Sequence, residues 1–208
     1  MHIALTYFDF PFWRAEVSRL ALHIGGVDFE DRRPSREAFR AMKAAGQLPY
    51  GQLPVLEVDG VIIAQSAAIA RYCGKLSGLY PMSDHVAAAR VDELLDAANE
   101  VTLKVSPTMR EQDPTRRAAM RTELATETFP AWFEQVEGRV DDGEFLVGDA
   151  LTIADLALWR LLAWLTGGFL DGIPTDLLDR HPRLSRHVAT IAARGDVTAW
   201  MTRYDRVG

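Results

Sequence analysis

Pro54-Val55-Leu56-Glu57-Val58-Asp59-Gly60-Val61-Ile62-Ile63-Ala64-Gln65-Ser66 is the stretch whose reading decides the fold. Two β-branched runs flank Asp59-Gly60, a pair that takes positive φ at both central positions of a tight turn at little steric cost, so a β-hairpin is predicted. Pro54 has no N–H to give to a ladder, and its place is the first residue of the strand. Ser66 precedes Ala67-Ala68-Ile69-Ala70-Arg71-Tyr72 as an N-cap should, so a helix is expected directly after the hairpin.

Upstream, Ile3 to Tyr7 is a short apolar run suited to a buried strand, and an aromatic loop follows from Phe8 to Trp13. Val17, Leu20, Ala21 and Ile24 recur at helical spacing before Gly25-Gly26, which predicts a helix from Arg14 to about Ile24. Val27 to Arg33 can form a second strand. The order is then β-α-β, an irregular connection, β-β-α. Downstream the patterns are helical throughout. Tyr80-Pro81-Met82-Ser83-Asp84 reads as a linker, Val86 to Val105 and Arg116 to Val140 as long amphipathic helices, and His181-Pro182-Arg183-Leu184 as the start of a last long one. Thr152 caps another helix, with Asp155 three residues on completing a short-armed capping box. Charge shifts at the same boundary: 9 Lys+Arg against 8 Asp+Glu lie before Leu79, and 14 against 21 lie from there on. We therefore expect an α/β domain over 1–79, a linker over 80–85 and an all-helical domain over 86–208.

The 208 residues are 48% hydrophobic and 25% charged with a formal charge of −6, the proportions of a soluble globular protein. The acidic balance argues against general nucleic-acid binding, which needs a basic face. A lone Cys73 excludes an internal disulfide and any Cys-x-x-Cys motif and suits a reducing compartment, so a cytoplasmic location is expected. The longest apolar stretch, roughly Ala157 to Leu170, is interrupted by Arg160 and Gly167-Gly168 and is too broken to span a bilayer. The five histidines show no ligand spacing, and no metal site is expected.

Four features carry candidate chemistry. Pro54 either starts its strand in trans, or is cis and turns the Leu53 backbone outward to pair with an extended peptide ligand. Gln65-Ser66 either caps its helix or presents a hydroxyl and helix N–H groups to a carboxylate. Tyr7, where the first strand ends, is a core residue or a phenol donating to an anion. Arg14 is a surface charge or keeps that neighbourhood electropositive. Cys73, small and with no base beside it in sequence, reads as structural.

Together, Leu5-Thr6-Tyr7-Phe8 with Arg14-Ala15-Glu16, Leu48 to Gly60, Gln65-Ser66 with Ile69 to Tyr72, Arg90-Val91-Asp92-Glu93, Gly148 to Asp155 and His181 to Leu184 resemble the glutathione S-transferase family, most closely its sigma class, over nearly the whole chain. The resemblance implies a thioredoxin-like N-terminal domain that holds glutathione, an all-helical C-terminal domain, a homodimer, a small apolar electrophile as second substrate and no membrane or nucleic-acid partner. It also implies roles. Tyr7 would donate to the glutathione sulfur and Arg14 would support it. Phe39 and Lys43 would face the glycyl carboxylate, Gln52, Leu53 and Pro54 the tripeptide backbone, and Gln65 and Ser66 the γ-glutamyl end. Glu100 of the other subunit would meet the γ-glutamyl ammonium. Phe39 stands where the class has a tryptophan, and its ring has no N–H to give.

Phe8, Phe10, Phe12 and Trp13, with Met109, Leu161, Trp164 and Tyr204, are candidates for the apolar pocket, whereas Trp159 is expected in the core. Conjugation, glutathione-dependent isomerisation of the prostaglandin type and hydroperoxide reduction would all use one thiolate and differ in that pocket. A non-catalytic, crystallin-like role is the alternative from another class. Retention of Tyr7, Arg14, Gln65 and Ser66 together favours catalysis.

Overall fold

The Asp59-Gly60 turn forms with φ of 46° and 85°, positive at both central residues, and joins β3 (Val55–Val58) to β4 (Val61–Ala64) with Leu56 opposite Ile63. The computed structural model describes residues 1–140 and 142–205, the side chains of 204 and 205 excepted. β1 (Ile3–Thr6) lies antiparallel to β3 and parallel to β2 (Glu30–Arg32), giving a four-stranded sheet in the order β2-β1-β3-β4. Leu5 and Leu56, wholly buried in the central strands, are covered by α1 (Trp13–Ile24) and α3 (Ser66–Ser77). The second half is helical: α4 (His85–Val105), α5 (Pro114–Glu123), α6 (Phe129–Glu137), α7 (Ile153–Thr166), α8 (Pro182–Ala192) and α9 (Gly195–Asp205). The thioredoxin-like unit and the helical unit meet where α1 packs against α7.

The connection before β3 is more regular than its sequence suggested. It contains α2 (Arg36–Ala44), started by Ser35, whose Oγ accepts from Ala38 N at 3.1 Å. The long helix expected from Arg116 to Val140 is interrupted by a π turn at Leu124–Thr128 just before Pro130, which has no N–H to continue the α ladder. The last helix is two, because α8 closes at Ala193 and α9 restarts at Gly195-Asp196.

The capping box at α7 forms. Asp155, fully buried, accepts from Thr152 N at 2.7 Å and Thr152 Oγ1 at 2.8 Å, and also from Leu146 N at 2.8 Å. Burial raises its carboxyl from the usual range against those bonds and the nearby His187. Next to this cap, Ile153 N donates to Leu79 O at 3.0 Å and the Ile153 side chain seals against Gly74 of α3. A Cβ at Gly74 would fall 2.7 Å from Ile153 Cγ2. Cys73, beside it, is buried and its thiol is pushed up to about 12 by desolvation, as befits a small core residue.

Candidate active site

β1 ends at Thr6, and the next residue, Tyr7, starts the aromatic loop; its N–H still bonds Arg32 O at 3.0 Å, so the ring leaves from a fixed base. Three buried side chains tether the loop from different elements. Arg19, fully buried in α1, donates to the carbonyls of Tyr7 at 3.4 Å and Phe8 at 3.3 Å while paired with Glu16 at 3.2 Å and Asp31 at 2.9 Å. Arg160 of α7 donates to Pro11 O at 3.2 Å, and Trp13 Nε1 to Thr102 Oγ1 of α4 at 2.9 Å.

The Tyr7 ring is 5% exposed, with Phe8 and Phe10 at centroid distances of 5.5 and 5.6 Å. Burial pushes its phenol up to about 12, against the pull of Arg14 and Arg19, so it is a proton donor at neutral pH. Burial also lowers the Arg14 guanidinium from its usual value, against the phenol's opposite influence. As an arginine it stays charged.

Three hollows surround this pair. A shallow cleft is lined by Arg14, Gln52, Leu53, Pro54, Gln65 and Ser66. The Leu53-Pro54 bond is cis. Gln65 holds φ of 75°, rare for a residue with a side chain, and occupies the N-cap position of α3 that the sequence assigned to Ser66. Ser66 is instead the first helical residue, and its buried Oγ has no hydrogen-bond partner. A second hollow of about 250 Å³ gathers Tyr7, Phe10, Phe12, Arg14, Met109 and Trp164, the last 4.8 Å from the Phe12 ring. Thr102, Ser106 and Arg110 complete it. A third, of about 810 Å³, opens between the aromatic loop and α2, where Phe39 meets the Phe8 ring edge-on at 5.3 Å.

Other sequence candidates fall elsewhere. Trp13 and Leu161 are completely buried in α1 and α7 and line none of the three hollows, because each continues the apolar face of its helix. Tyr204 lies outside the described side chains. Trp159 is 5% exposed, in the core. Lys43 is exposed, with its stem over Gly51, and lines none of the three hollows. Glu100 is exposed on α4, pairs with Lys104 at 2.8 Å and borders a groove between α4 and α6, away from its own chain's cleft. Arg19, Thr102, Ser106 and Arg110 went unnoticed in the sequence; only the Arg19 position, on the buried stripe of α1, carried a signal.

The family model described as "Glutathione S-transferase, N-terminal domain" matches residues 3–75, and that described as "Glutathione S-transferase, C-terminal domain" matches residues 99–203. The chain is 32% identical over 207 residues to Glutathione S-transferase 1 of Ascaris suum, covering 95% of this chain and 94% of that one. It is 30% identical over 199 residues to the hematopoietic prostaglandin D synthase of Gallus gallus, covering 96% and 94%. The solved structure of prostaglandin synthase D of Nilaparvata lugens superposes with a TM-score of 0.85 at 30% identity, over 98% of both chains. Domain order, sheet topology and both family matches agree, and the chain belongs to the glutathione S-transferase family of enzymes.

Proposed function

We propose that this enzyme binds reduced glutathione in the cleft at Gln65-Ser66 and joins its sulfur to apolar electrophiles, with the Tyr7 hydroxyl holding the thiolate. One observation carries the reading: the Ser66 Oγ is buried at the N-terminus of α3 without a partner. Such an orphan costs about 1–3 kcal/mol unless a ligand satisfies it. A γ-glutamyl carboxylate would do so, and the first-turn N–H groups of α3 favour the same anion. Gln52, Leu53 and Pro54, in the same cleft, are assigned to the tripeptide backbone, and Phe39, which walls the hollow at α2, and Lys43, with its stem over Gly51, to the glycyl side.

A thiol near pKa 8.5 is only a few per cent ionised at neutral pH, and lowering it by about two units takes ~2.7 kcal/mol of differential stabilisation. One charge-assisted hydrogen bond from a phenol that keeps its proton supplies about 1.5–3 kcal/mol, and Arg14 adds a positive charge beside it. Tyr7→Phe is therefore expected to lower kcat for chlorodinitrobenzene by about 10–100-fold, with the KM for glutathione within about twofold. The ultraviolet absorbance of the bound thiolate at pH 7 should vanish with it. Full turnover with that absorbance intact would overturn the role.

The electrophile is assigned to the hollow walled by Phe10, Phe12, Met109 and Trp164. The domain division at residue 79, a homodimer and a cytoplasmic location belong to the same reading. Glu100, exposed on α4 and lining a different groove from its own chain's cleft, would meet a γ-glutamyl ammonium only across a dimer, exchanging its pairing with Lys104, and a reducing cytoplasm suits the buried Cys73 thiol. Similarity to two proteins named prostaglandin synthases supports a second reading, a glutathione-dependent isomerase. Turnover without net consumption of glutathione would distinguish it.

A further inference from the structure

The hollow between the aromatic loop and α2 shares Tyr7 and Phe10 with the electrophile pocket but is about 810 Å³ against about 250 Å³. Its wall is aromatic, from Phe8, Phe10 and Phe39, and two arginines, Arg36 and Arg40, stand in it one helical turn apart. Arg40 Nε donates to Arg36 O at 3.2 Å, which folds its guanidinium back toward Arg36. Among the described residues neither guanidinium meets a carboxylate. The acid in the lining, Asp9, is taken by Arg33. Two exposed arginines, neither of them in an ion pair among the described residues, thus line a hollow with an aromatic wall at the N-terminal end of α2, where the helix dipole has the same sign.

We propose that Arg36 and Arg40 form a carboxylate-binding subsite that selects electrophiles bearing an acid at one end of an aromatic or apolar body. The inference rests on the assignment of Tyr7 to the thiolate, because Tyr7 lines both hollows and a compound held by the arginines would extend past it. The glycyl carboxylate of glutathione is the other anion at hand. Lys43 packs its stem over Gly51, next to Gln52 of the tripeptide cleft, while Phe39, assigned to the glycyl side, also walls the arginine hollow, so the two anions are neighbours there and the KM for glutathione tells them apart. With an unsaturated ketone as electrophile, the thiolate forms a bond to the β-carbon, the alkene electron pair moves to the carbonyl oxygen, and the α-carbon takes a proton from water. The carboxylate is a handle and does not react.

Ethacrynic acid and its methyl ester present this choice with one reactive group. The double variant Arg36→Gln/Arg40→Gln should raise the KM for the acid about tenfold and that for the ester less than about twofold. The KM for glutathione should stay within about twofold, and a double lysine variant should recover part of the preference. The saturated analogues of acid and ester, titrated calorimetrically, should show the same split without chemistry. Equal losses for acid and ester, equal binding of both to both proteins, or a rise confined to the KM for glutathione would each overturn the subsite. Loss of all conjugation with neutral chlorodinitrobenzene by the unaltered enzyme would instead sink the transferase reading, and the calorimetric arm would still decide the subsite.

Discussion

Ser66 is set against its own stability: a hydroxyl sits buried without a partner, one residue after a backbone held at φ of 75°. Ser66→Ala removes an unsatisfied group, so the ligand-free protein should melt at the same urea concentration or higher, by up to ~1 kcal/mol. The same change should raise the KM for glutathione by about tenfold or more. Tyr7 makes a prediction in pH. Its phenol, raised from 10 to about 12 by burial, keeps its proton through the working range. The profile of kcat/KM should therefore rise as the thiol ionises and show no descending limb from tyrosine ionisation below pH ~10. A limb between pH 8 and 9 that Tyr7→Phe abolishes would contradict it. Several residues were legible singly but not in combination. Phe12, Met109 and Trp164 share a pocket only because α1, α4 and α7 converge. Trp13, buried and lining none of the three hollows, sits on the face that Val17 and Leu20, four and seven residues on, already mark as the buried one.

At the scale of the element, the hairpin and the α7 cap were plain in the sequence because each rests on local chemistry: two residues tolerant of positive φ, and a carboxylate three positions past a threonine. α2 was hidden because none of its residues is buried and only Phe39 and Met42 break its polar surface, leaving Ser35 as the lone signal. The π turn before Pro130 and the break at Gly195 each needed a proline or glycine to be weighed against a continuing apolar period. The cap at α7 invites measurement. Asp155→Ala strips the acceptor from Thr152 N and Leu146 N at once, both buried. We expect a loss of about 2–4 kcal/mol in urea unfolding, with the glutathione KM of the protein that remains folded near normal.

Across the whole molecule, α1 is shared property: α3 covers one side and α7 the other, and the Gly74 contact with Ile153 closes the seam beside it. Gly74→Ala would gain about 1 kcal/mol of helix propensity in an exposed helix. Here the added methyl meets a fully buried, branched side chain at 2.7 Å, and overpacking of about 1–3 kcal/mol should win. The expected result is a lowered urea midpoint in a single transition seen by fluorescence and circular dichroism alike; a midpoint that rises would show that the seam yields.

The tethering of the aromatic loop by Arg19, Trp13 and Arg160 has a further consequence. The main chain from Tyr7 to Pro11 is held by these three side chains from other positions, and Phe10, 44% exposed, packs on the neighbouring rings of Tyr7, Phe8 and Phe12. Natural drift or laboratory selection can thus repaint the mouth of the pocket at this position while the main-chain anchors of Tyr7, the phenol proposed to hold the thiolate, stay in place, so diversification of what the enzyme accepts need not move that anchor.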